Sequence, residues 1–152
     1  MPAKPMDDLR PSIEQAEAEF LGNLALLDDA LLQYEYVLSF VSEVDELPEA
    51  ACTDECKVAG CASNAWMLLS REDGCLSLRL NADALIIKGL LGVLTWLLDG
   101  RPLPEVAVWK SRLLDDPSLK PLLNTDRRHG VASIITAITG FCRCSAGCSR
   151  CM

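Results

Sequence analysis

From Ser12 to Val44 the apolar residues recur every three or four positions, the period of an amphipathic helix. Ser12-Ile-Glu-Gln15 has capping-box spacing, a side-chain oxygen first and an amide three residues later. A helix should follow, with Ile13, Ala16, Phe20 and Leu24 on one face. Asp28 and Asp29 can start a second helix, in which Leu31, Tyr34, Leu38, Val41 and Val44 form a stripe that ends at Pro48. The period then falls to two. Leu76, Leu78 and Leu80 alternate with Cys75, Ser77 and Arg79, so Asn64 to Ser70 and Cys75 to Leu80 read as a hairpin. Arg71-Glu-Asp-Gly74 supplies its charged turn, ending in a permissive glycine. Lys57 to Ala59 is expected to add a short strand to the same sheet.

The pattern changes again at Ala84 to Leu98, an apolar run interrupted by Lys88, Gly89 and Gly92. Crossing a bilayer takes about 20 apolar residues, so this run reads as a buried helix that starts at Asn81 or Asp83 and stops at Asp99-Gly100-Arg-Pro102. Pro104 to Leu114 predicts one or two short helices with Val106 and Trp109 turned inward. A last helix from about Asp126 to Phe141 should bury Val131, Ile134, Ile135 and Ile138. Helices, a small antiparallel three-stranded sheet, then helices again make an α+β architecture. The boundaries are an N-terminal tail at 1–11, one domain at 12–141 and a cysteine-rich tail at 142–152, with no internal repeat.

Composition narrows the function. The chain has 152 residues, half of them hydrophobic, which is enough for one core without disulfide staples. A net charge of −8 argues against nucleic acid, whose phosphates require clustered Lys and Arg. It suits solubility and protein partners with a basic face. The start, MPAKPMDDLRP, has no apolar core region and does not read as a secretory signal. A cytoplasmic location without a membrane is therefore expected, and the eight cysteines are read as thiols in a reducing compartment.

Those thiols are the candidate chemistry. Cys61 follows Gly60, which permits a tight turn, and precedes small Ala62 and Ser63 and the strand with Trp66. It is either a thiol at the tip of a turn, within reach of another protein's active site, or a small buried hydrophobe at a strand entry. His129, the one histidine, reads as a solvated or capping residue ahead of a catalytic base. At the C-terminus Cys142, Cys144, Cys148 and Cys151 lie within ten residues, and the last two have C-x-x-C spacing. Zinc binding, a reversible redox pair and an inert reduced tail all remain open for that cluster.

A combination of stretches resembles the SufE family of sulfur acceptors. Val58-Ala-Gly-Cys-Ala-Ser-Asn-Ala-Trp66 carries the family's glycine-cysteine pair, here Gly60 and Cys61, followed by Ser63 and Trp66. Asp83, Ala84, Ile86, Ile87, Lys88 and Gly89 match its acidic-alanine segment leading into a lysine-glycine helix. Arg127 and Gly130 match an arginine three residues before a glycine. The likeness covers about residues 15 to 140. Ala65 replaces a usual valine, Cys56 replaces a usual asparagine, and the cysteine-rich tail is outside the family pattern.

The resemblance implies the fold shared with IscU-type iron–sulfur scaffolds. It implies that Cys61 takes persulfide sulfur from a cysteine desulfurase and passes it to an iron–sulfur assembly scaffold. The pyridoxal phosphate would belong to the desulfurase, so no bound cofactor is expected, and the protein would be a carrier and activator in place of a stand-alone enzyme. Gly60, Ser63, Asp83 and Arg127 become candidates for positioning the loop or docking the partner. For Asp83 the plain alternative is helix capping, and for Arg127 a surface ion pair. Cys56 is a possible relay for the sulfur. Two rival readings stand beside this one: a metal- or cluster-binding scaffold using Cys61 with Cys52, Cys56 or the C-terminal cysteines, and a thiol redox switch at Cys148 and Cys151.

Overall fold

The computed structural model describes residues 10–58 and 64–147. Its order is α1 (Ile13–Leu26), α2 (Ala30–Leu38), 3₁₀ turns at Ser39–Glu43 and Glu49–Ala51, β1 (Ala65–Glu72), β2 (Cys75–Ala82), α3 (Leu85–Leu98), α4 (Leu103–Ala107), a 3₁₀ turn at Lys120–Leu122 and α5 (Thr125–Gly147). The mixed α+β class is as expected.

α1 starts as its sequence dictates. The Ser12 side chain accepts from the Gln15 N–H at 3.1 Å, and the Gln15 side chain accepts from the Ser12 N–H at 3.0 Å. Such a cap contributes roughly 1 kcal/mol to a helix. Ile13, Ala16, Phe20 and Leu24 are all buried. Asp29 caps α2 by accepting from the Leu31 N–H at 2.7 Å. The buried face of α2 differs from the expected stripe, because Leu31 is 64% exposed and Val37 is fully buried. The helix tightens into 3₁₀ geometry from Ser39, where residues three apart eclipse one another. The three-residue spacing of Leu38, Val41 and Val44 belongs to that tightened turn.

α3 decides which face of α2 turns inward. Eleven of its fourteen residues are buried. A Cβ on Gly89 would stand 2.9 Å from the Val37 carbonyl oxygen, and one on Gly92 would collide with the carbonyl of Phe40. The glycines thus let the α2 and 3₁₀ backbone lie directly on α3. Phe40 then sets its ring edge-on to Phe20, Tyr36 and Trp96, each with centroids 5.4 Å apart, a favoured arrangement for aromatic quadrupoles.

Asp73 and Gly74 turn the hairpin with φ of 55° and 77°, the two positive values of a type I′ turn. The register pairs Ala65 with Ala82 and Glu72 with Cys75. Leu76, Leu78 and Leu80 are buried on the face toward α3. Among the described residues the sheet has two strands, where three were expected. Lys57 makes one antiparallel bridge to Trp66, and Glu46 makes one parallel bridge to Leu80. Both edges are therefore extended by short pairings, with the turn at Glu49–Ala51 between them. α5 packs Val131, Ile134 and Ile138 into the core and runs past Phe141 to Gly147.

The glycine contacts make a paired test. Gly92→Ala should lower stability by about 1–3 kcal/mol through overpacking. Gly22→Ala, in the exposed middle of α1 with nothing within 4 Å of its Cβ position, should raise stability by up to roughly 1 kcal/mol. Urea unfolding of both variants measures this, and equal effects would contradict the close-packing account.

Candidate functional site

Cys61, Gly60 and Ser63 lie outside the described residues, as do Cys148 and Cys151. The structure gives the anchors on either side of the 59–63 segment. On the incoming side the Val58 N–H donates to the Ala65 carbonyl at 2.8 Å, and the Met67 N–H donates to the Cys56 carbonyl at 2.8 Å. On the outgoing side the Asn64 amide donates to Asp83 Oδ2 at 2.8 Å, while the Asp83 N–H donates to the Asn64 carbonyl at 3.0 Å. Two reciprocal bonds thus fasten the outgoing end to the turn before α3.

Asp83 therefore does not cap α3 with its side chain. The cap position is Ala84, without a side-chain hydrogen bond. Asn81, the other expected start, donates instead to the Leu47 carbonyl at 2.9 Å and ties the end of β2 to the 47–52 segment. Arg127 is half-buried and donates from Nη1 to the Leu122 carbonyl at 3.1 Å, while its N–H donates to Asn124 Oδ1 at 2.8 Å. It secures the start of α5 to the preceding 3₁₀ turn, where a surface ion pair had been the plain expectation.

A groove of about 790 Å³ opens beside the incoming anchor. Glu55, Cys56, Lys57, Val58 and Met67 form one wall. His129, Ala132, Ser133, Thr136 and Ala137 form the other, at the spacing of one face of α5. This stripe of small and polar residues runs beside the apolar stripe of the same helix, and neither wall was singled out from the sequence. The groove is lined by both Cys56 and His129, which are 73 positions apart in the sequence, and by Lys57.

The remaining thiols are sorted by environment. Cys52 is half-buried, its sulfur 3.8 Å from both the Leu47 carbonyl and the Asn81 amide. Cys75 sits at the hairpin end. Cys142 faces the core with no exposed surface, and burial pushes its thiol up from 9.0 to about 11. Cys144, two positions on, is exposed and disulfide-bonded. Helical geometry sends the two in nearly opposite directions, so they do not face one ion together. Among the described residues no group of three or more His, Cys, Asp or Glu side chains is placed to hold a metal ion.

Residues 18–142 match the family described as SufE: Fe-S metabolism associated domain. The chain belongs to the SufE family. Over 125 residues it is 28% identical to an uncharacterized SufE-like protein of Rhizobium meliloti, covering 79% of this chain and 89% of that one. A SufE-like protein 1, chloroplastic/mitochondrial, of Arabidopsis thaliana is 26% identical over 133 residues, covering 87% of this chain and 35% of the plant protein. The solution structure of a hypothetical protein from Thermus thermophilus shares the fold, with a TM-score of 0.70 at 17% identity, over 90% of this chain and 96% of that one. This SufE-family protein has no helix among its described residues long and apolar enough to cross a membrane.

The sorting of thiols predicts a labelling order. At neutral pH, a thiol at about 11 holds roughly 100-fold less thiolate than one at 9.0, and thiolate is the species that alkylates. Cys142 should resist iodoacetamide in the folded protein and react on unfolding, while Cys56 on the groove wall is alkylated in the folded state. Peptide mapping checks this, and equal folded-state rates at the two would refute it.

Proposed function

We propose that this SufE-family protein is a sulfur acceptor that takes sulfane sulfur onto Cys61 from the persulfide of a cysteine desulfurase. It passes that sulfur on to an iron–sulfur assembly scaffold. The observation that carries the reading is the match of 18–142 to a family associated with Fe–S metabolism. It is joined by the hydrogen-bonded anchors on either side of the 59–63 stretch, to which Cys61 belongs. A short segment between fixed ends can present a thiol to a partner's active site without disturbing the core.

In the proposed step the Cys61 thiolate attacks the outer sulfur of the donor persulfide. The new S–S bond forms on Cys61 as the donor's S–S bond breaks, and the donor leaves as a thiolate with the electron pair. No electrons are gained or lost overall, so neither an oxidant nor a reductant is needed. The chemistry requires no resident cofactor, since the pyridoxal phosphate is the desulfurase's. Asp83 acts as a positioning residue through its two bonds to Asn64. The groove with Cys56, Lys57 and His129 lies beside the incoming anchor, where a partner segment would arrive. The setting proposed for this work is the cytoplasm.

Incubation with a cysteine desulfurase and L-cysteine, followed by intact-mass and peptide analysis, tests the reading. The expected result is one added sulfur confined to the Cys61 peptide and absent from Cys61→Ser. Sulfur found only on Cys56 or the C-terminal cysteines would move the chemistry elsewhere. No added sulfur beside an active desulfurase would overturn the acceptor role.

A further inference from the structure

Glu17 is a buried carboxyl that the sulfur chemistry does not use. It sits on the core face of α1 with 1% of its surface exposed. Its Oε2 accepts from the Arg112 backbone N–H at 2.9 Å and from the Ser111 hydroxyl at 3.2 Å. Ser111 Oγ in turn accepts from the Leu113 N–H at 3.1 Å, so one carboxyl oxygen organises the turn of the 109–113 segment. The other oxygen, Oε1, and the indole Nε1 of Trp109 are both buried without a hydrogen-bond partner among the protein atoms. Trp109 is itself 3% exposed and belongs to this same segment.

An orphaned acceptor and an orphaned donor in one buried site form an incomplete pair. Leaving either group unsatisfied costs about 1–3 kcal/mol. The state of the carboxyl decides whether they can satisfy each other. An ionised Oε1 is a charge-assisted acceptor for the indole N–H, whereas a protonated Oε1 carries a competing O–H donor and only a weaker acceptor.

We propose that Glu17 and Trp109 form a proton-operated latch between α1 and the 109–113 segment, closed by an indole N–H to carboxylate bond when Glu17 ionises and open when it is protonated. Burial is the dominant influence on Glu17 and raises its affinity for the proton. The Arg112 N–H, the Ser111 hydroxyl, the Trp109 indole and the Arg112 charge act in the opposite direction. Arg112 is the charged side chain acting on it from the segment packed against α1. The folded state therefore holds this proton more tightly than the unfolded chain does. Its contribution to stability is full below the ordinary carboxylate range and is lost as pH rises through the raised value.

The 109–113 segment leads into a stretch held by α5. Beyond Leu113, the same segment is held by Arg128 of α5, which donates from Nη1 to the Leu114 carbonyl and pairs through Nη2 with Asp115 at 3.2 Å. His129 of the groove wall is the next residue.

The test is the indole N–H resonance of Trp109 in the full chain, followed by ¹H–¹⁵N NMR over roughly pH 4 to 9, a window that spans ordinary and strongly raised carboxylates. It should move downfield with one midpoint above the usual carboxylate range, and stay fixed in Glu17→Gln. The urea midpoint of the wild type should fall across that same pH window and that of Glu17→Gln should not. Trp109→Phe removes the donor that favours ionisation, so the upper end of the stability loss should shift to higher pH. An indole resonance that ignores pH, or that titrates identically in Glu17→Gln, would overturn the latch. If Glu17→Gln does not fold, an unshifted pH profile in Trp109→Phe overturns it equally.

Discussion

Direct contact between backbones on α3 is the constraint on which the other elements depend. A helix that is apolar on nearly every side has to be surrounded, and Gly89 and Gly92 permit the closest neighbour. With Val37 and Phe40 pressed against α3, the aromatic cluster and the buried residues of α1 pack around the same axis. The far end of α3 is closed by cations, as its dipole favours. Arg10 donates to the Trp96 and Asp99 carbonyls, and Arg101 donates to Leu97. The leucines of β2 then occupy another side of α3, which fixes the hairpin and with it both anchors of the 59–63 segment.

Elements whose signals are local were legible from sequence. The capping box at Ser12, the period-two leucines of β2 and the length of the apolar run at Ala84–Leu98 each depend on residues close in the chain, and each appears in the structure. The face of α2 was not legible. Leu31, Leu32, Tyr34, Val37 and Leu38 are apolar all round, and only the approach to Gly89 selects Val37. The expected third strand required pairing information as well as pattern, and within the described residues it amounts to one bridge at Lys57. Glu17 reads in sequence as one more charge on an amphipathic helix. Its burial follows from Ser111 and Arg112, more than ninety residues away.

The candidate site divides in the same way. Gly60, Cys61, Asp83 and Arg127 were singled out by resemblance, and the structure supplies physical connections for the last two. Asp83 holds the outgoing anchor, and Arg127 holds the entry to α5. The groove was missed because its walls come from segments far apart in the chain, and its α5 wall is made of residues too small to stand out in a hydrophobic pattern. In the cysteine cluster, nearness in sequence does not give nearness in space. Cys142 and Cys144 are close in sequence, but a helix rotates neighbours two apart to different sides, so one is in the core and the other outside.

Charge around the anchors sets the remaining physical condition on sulfur transfer. Glu43, Asp45, Glu46, Glu49, Asp54 and Glu55 are all exposed on the segment leading to the incoming anchor. Lys88 pairs with Glu46 at 2.6 Å and Arg79 with Asp45 at 3.9 Å, so part of this charge is neutralised within the chain. The rest leaves a negative potential along the segment that leads to the incoming anchor. Lys57 on the groove wall is the opposite charge in this stretch. A basic-faced partner would meet this surface with complementary charge, which speeds encounter at low salt.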